Sequence, residues 1–163
     1  MLPERRQELL QRRQQLQPNR ERQFVDKQQR EFLAPLDQAG VAYTLAEDPP
    51  LISWITDRFT IDRSTAIDWA RVAERHCADA DAEAQDPAAW LRRLAEEKNL
   101  GEPVVAVVFA DAAMSCLTMR YDEFARHVEK IVDVNWQTWV FDPASRWIIE
   151  FHHHQGWCWG KSA

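Results

Sequence analysis

The sequence predicts an α+β domain, with a mainly antiparallel sheet formed by the C-terminal half and packed against N-terminal and middle helices. Three observations predict it. Up to about residue 100 the apolar residues recur at three- and four-residue spacing, the period of an amphipathic helix. From Val104 onward they fall instead into short β-branched runs and two-residue alternation. Two turn sequences, Asp142-Pro143-Ala144-Ser145 and Gln155-Gly156, punctuate the last thirty residues as antiparallel hairpins would. A chain of 163 residues is the length of one domain and long enough for a real core. The expected organisation is a single domain over 1–163, with an exposed helical arm at 1–18, a mostly helical layer at 19–100, and a sheet with one intervening helix at 103–160.

Residues 4–17 are Arg- and Gln-rich helix formers with only Leu9, Leu10 and Leu16 to bury, which predicts a solvated helix that Pro18 stops. Asn19 can cap a second helix, whose Phe24, Val25, Phe32, Leu33 and Leu36 share a face until Gly40. Val41–Leu45 reads as a short strand or an extended link, and Leu51–Ile55 as a further apolar run after Pro49-Pro50. Ala66, Trp69, Ala70, Ala73 and Cys77 line up as one face of an amphipathic helix over 62–77. The small acidic stretch 78–85 is a solvated link. Asp86-Pro87 then starts a helix that buries Trp90, Leu91 and Leu94 and ends before Gly101.

Val104–Phe109, unbroken and β-branched, predicts a buried central strand, with Ser115–Arg120 beside it. Tyr121, Phe124, Val128 and Ile131 mark the intervening helix. A tight turn at 142–145 predicts Phe141 opposite Arg146 and Trp139 opposite Ile148. One face of the hairpin then carries Trp136, Thr138, Val140, Trp147, Ile149 and Phe151 to the core. A two-residue turn at Gln155-Gly156 gathers Trp139, Glu150, His152, His154, Trp157 and Trp159 on the other face, which is covered by helices, a recognition surface or a small-molecule pocket.

Charge narrows the partner classes. Residues 1–38 hold eight Arg/Lys against six Asp/Glu, whereas residues 39–163 hold twelve against twenty, an arm of +2 on a body of −8. An acidic body disfavours nucleic acid and favours a basic protein partner, with Asp79, Asp81 and Glu83 placed to steer it. No apolar run reaches the roughly 18 residues of a membrane span, and the charged start Met1–Arg6 lacks an apolar leader, so the expectation is a soluble cytoplasmic protein. Cys77, Cys116 and Cys158 are spaced like neither a disulfide framework nor a metal-ligand pair, and are expected as free thiols.

Chemistry-bearing motifs are scarce. Four glycines leave no phosphate-cradling loop, no cofactor is implied, and no nucleophile sits beside a base. Glu150, His152 and His154 could form a metal or acid/base set, but on a straight strand they span about 13 Å, too far to converge on one ion. The leading expectation is therefore a non-enzymatic protein-binding module using Trp139, Glu150, His152, His154, Trp157 and Trp159. An enzyme centred on Glu150, His152 and His154, and a structural subunit assembling through the arm, are the alternatives. The acidic body and the Trp-rich ending, Asn135-Trp136-Gln137-Thr138-Trp139 through Trp147 to Trp157, resemble the small acidic immunity proteins of bacterial polymorphic-toxin systems. That resemblance implies a cytoplasmic, toxin-neutralising function without catalysis.

Overall fold

The structure, a computed structural model, describes residues 24–46, 48–62, 65–78, 86–111, 114–153 and 156–162. The arm expected at 1–18, the steering acids Asp79, Asp81 and Glu83, and His154 lie outside the described residues. The chain is α+β: helices α1 (24–38), α2 (Asp48–Arg58), α3 (Pro87–Lys98), α4 (Tyr121–Arg126) and α5 (Val128–Val132) flank one antiparallel sheet. Its seven strands are β1 (Thr44–Ala46), β2 (Glu74–Cys77), β3 (Val104–Phe109), β4 (Cys116–Arg120), β5 (Gln137–Phe141), β6 (Trp147–His152) and β7 (Gly156–Lys161). They lie in the order β1-β4-β3-β5-β6-β7-β2, so the five C-terminal strands form the middle and two short upstream strands close the edges.

Both faces of the sheet are covered. Alternation along β3 sends Val105, Val107 and Phe109 to one side, where they meet Phe32 and Leu36 of α1, Trp90, Leu91 and Leu94 of α3, Phe124 of α4 and Ile131 of α5. Ala106 and Val108 point the other way, onto Trp54 and Ile55 of α2 and onto Phe59, Ile67 and Val72. Trp54 anchors this second layer by stacking on Phe141 at 4.3 Å and donating its indole N–H to the Pro143 carbonyl. Where sequence periodicity is backed by end signals, the element forms as expected: Asp86 accepts from Ala89 N at 2.8 Å, Pro87 opens α3, and Asn99 closes it in the left-handed region.

Four expectations are corrected. Residues 62–77 are not a helix: Ile61 and Ile67 form a β-bridge, Trp69–Arg71 is a 3-10 turn, and Glu74–Cys77 is β2, paired with β7. The helical face there consisted largely of alanines, which bury too little area to outweigh a strand pairing. Cys77 and Cys158 are not free thiols. They sit directly opposite each other across β2 and β7 and form a disulfide, while Cys116 is a buried cysteine outside that bond.

The β5–β6 register is Phe141 to Ile148 and Trp139 to Glu150, two residues from expectation, because Asp142 accepts from Ala144 N and the Ser145 hydroxyl and leaves Arg146 outside the pairing. An even shift preserves the faces. The β6–β7 shift is odd: His152 pairs with Gly156 and Glu150 with Cys158. Three residues rather than two connect the strands, and Gly156 enters β7 at φ +80°. An odd shift turns every side chain over, so Trp157 and Trp159 belong to the α1/α3–α5 face, opposite Phe151 and Ile149.

Candidate functional site

Two features of the β5–β6–β7 region involve the residues singled out from the sequence: a buried carboxylate and an aromatic hollow. Glu150, in the middle of β6, is 1% exposed. Its Oε1 accepts from the Gln137 side-chain amide at 2.7 Å, the Trp139 indole at 2.8 Å and the Ile67 backbone N–H at 3.1 Å, and its Oε2 from the Trp69 indole at 2.6 Å. Gln137 is satisfied in turn, donating to the Thr65 carbonyl and accepting from the Thr65 hydroxyl. Thr65 itself has φ +69°, a conformation that few non-glycine residues adopt and that this network holds.

The second layer is thereby tied to the sheet through polar contacts as well as by packing. Gly160 makes the close approach possible, since a Cβ there would come within 2.5 Å of the Trp69 ring and 2.8 Å of Val72. With both oxygens occupied by donors drawn from two layers, Glu150 acts as a structural clasp. A general base needs a free lone pair facing a substrate, and this carboxylate faces its own protein.

The hollow lies at the end of the sheet where β5 begins, β6 ends and β7 begins. It encloses about 270 Å³ and is lined by Val132, Asp133, Asn135, Trp136, Phe151, His152, His153, Gly156 and Trp157. Trp136 is 45% exposed, the most exposed of the eight tryptophans. It is held in place rather than loose: its ring meets His152 edge-on with centroids 5.5 Å apart, and its carbonyl accepts from His153 N. Beneath, Phe151 and Trp157 pack at 5.7 Å and continue into Trp90, so the floor is part of the core. Asn135 stiffens the approach to β5 by accepting from Gln137 N and contacting Met114 sulfur.

Of the residues singled out from the sequence, His152 and Trp157 line this hollow. Trp139 and Glu150 belong to the clasp. Trp159 is buried on the opposite face, under the Lys98 ammonium 4.5 Å above its ring, and His154 lies outside the described residues. Trp136, which alternation assigned to the core face, was missed. It precedes the first paired residue of β5, where the pleat no longer dictates direction. Among the described residues no cluster of three His, Cys, Asp or Glu is grouped to hold a metal ion.

A hollow of about 420 Å³ between α2 and β2 is a poorer candidate, because most of the charged side chains that line it are engaged by their own neighbours, Glu74 by Lys98 at 3.6 Å. Arg71 pairs with Asp68 at 3.0 Å, and Arg58 lies over the Trp54 ring while donating to the Trp54 carbonyl. No helix among the described residues is long and apolar enough to cross a membrane. No protein-family profile and no curated protein sequence matches this chain, so a functional reading rests on the geometry of these side chains.

Proposed function

We propose that this chain is a non-enzymatic protein-binding module that receives a basic protein partner over the Trp136 hollow, as a toxin-neutralising immunity protein would. One observation carries the reading: a single exposed tryptophan, fixed by neighbours, at the mouth of a hollow whose floor is continuous with the core. Rigid aromatic side chains of this kind supply most of the energy at protein interfaces, because little conformational entropy is lost when they are covered. Exposed Asp133 at the hollow and the surplus of acids over bases in residues 39–163 favour a partner of opposite charge and hasten its approach. The place of action that the resemblance implies is the cytoplasm, whereas the Cys77–Cys158 bond suits an oxidising compartment.

The test is capture of partners from native lysate at low and moderate salt, with Trp136→Ala as the matched control. The expected result is a stoichiometric basic partner whose affinity for the variant falls by at least about tenfold, the effect of removing a central aromatic anchor. Trp136 is largely outside the core, so the variant should keep the wild-type unfolding midpoint. Equal retention of the partner by a folded Trp136→Ala variant would show that the hollow is not the docking surface.

A further inference from the structure

Resting on that reading, we infer that the group entering the hollow is an arginine side chain of the partner, its guanidinium lying against the indole faces of Trp136 and Trp157 with the Asp133 carboxylate as counter-ion. The chemistry of the walls selects it. Three aromatic residues, Trp136, Phe151 and Trp157, line the hollow, and no lysine or arginine among the described residues does. A cation placed there meets ring faces, which attract positive charge, and shares the walls with the imidazoles of His152 and His153.

The acid is in place and uncommitted. Asp133 is exposed, caps the end of α5 through its backbone N–H to the Glu129 carbonyl, and forms no side-chain ion pair among the described residues. Acids at the other end of the sheet are engaged instead: Asp122 and Glu123 hold Arg126, and Asp122 and Glu102 hold Arg120. A carboxylate left free beside exposed indole is the combination that a guanidinium satisfies in full, stacking with its plane and donating with its edge. A lysine ammonium is a strongly hydrated point charge and uses only the charge, and an apolar side chain would leave Asp133 to be desolvated without compensation.

The probe is N-acetyl-arginine-N′-methylamide, titrated into protein labelled with 15N at its tryptophan indoles, beside the lysine analogue and the uncharged isostere made from citrulline. The arginine compound should shift the Trp136 and Trp157 indole resonances saturably, with a dissociation constant on the order of tens of millimolar, as befits one side chain detached from its protein. The citrulline compound should bind at least about fivefold more weakly, and Asp133→Asn should weaken the arginine compound about threefold while leaving the citrulline compound unaffected.

Citrulline binding as well as arginine, lysine binding better than arginine, or shifts spread without saturation over all the indoles would each overturn the inference. If Trp136→Ala loses the partner but the arginine compound does not bind, the docking surface stands and its arginine anchor falls. If the arginine compound binds but Trp136→Ala keeps the partner, the docking surface falls.

Discussion

Glu150 accepts three donors on one oxygen and one on the other, and this asymmetry predicts how the residue responds to substitution. In Glu150→Gln the amide oxygen is kept where three donors converge, which forces the new NH2 toward the Trp69 indole N–H. One donor–donor contact replaces one hydrogen bond, and the buried mismatch should cost about 1–3 kcal/mol in urea unfolding. The same substitution in a Trp69→Phe background meets no opposing N–H and should cost at least about 1 kcal/mol less; additive losses would assign the effect elsewhere. Sequence alternation placed Trp139, Glu150 and His152 on one face, as the structure does. It could not supply Ile67 and Trp69, whose donors come from more than 80 residues upstream and are brought in by tertiary packing. The exposure of Trp136 was equally hidden, because the pleat that assigns faces starts one residue later.

At the scale of elements, legibility followed the number of independent local signals. Helix α3 has a cap, a first-turn proline, an apolar stripe and a left-handed terminus, and strand β3 has an unbroken β-branched run; both formed where expected. Residues 62–77 had periodicity alone, and a partner strand, a disulfide and Glu150 prevailed over it. Strand β2 depends on those contacts, since β7 is its only neighbour in the sheet. The Cys77–Cys158 bond closes a sequence separation of 81 residues, for which chain entropy sets a ceiling of about 4–5 kcal/mol. Reduction, or Cys77→Ser, should lower stability by about 2–4 kcal/mol and raise amide exchange at Arg75–Ala78 far more than in β3 and β5. Unchanged exchange in β2 after reduction would mean that strand pairing and the clasp hold it unaided. Cys77 is exposed, so a thiol reductant reaches the bond without unfolding the sheet.

Across the whole molecule, two layers pressed onto one sheet bury or half-bury both tyrosines, and the clearest pH response falls at the alkaline end. The chain has two tyrosines, and both are held protonated. Burial, followed by the hydrogen bond to Asp37 and its charge, pushes Tyr43 from 10.0 up to about 12. Burial alone raises Tyr121, whose hydroxyl donates to the Leu91 carbonyl at 2.9 Å and joins α4 to α3. A group whose folded-state pKa lies above its unfolded value contributes its full stability below the unfolded value and loses it as pH rises toward the folded one. Both contributions are therefore intact below pH 10.0, the ordinary tyrosine value, and decline above it, Tyr43 through about 12 and Tyr121 beyond. Wild-type protein should show a near-constant contribution from these groups at pH 8 to 9.5 and a steep fall near pH 11, with Tyr121 adding up to about 1.4 kcal/mol per pH unit to the slope. Tyr121→Phe should cost about 1 kcal/mol at pH 8, from the lost hydrogen bond, yet unfold over a shallower alkaline limb, so that its deficit narrows or reverses by about pH 11. A deficit that stayed constant with pH would show that Tyr121 ionises as freely in the folded chain as in the unfolded one, and that its junction between α3 and α4 is open to water.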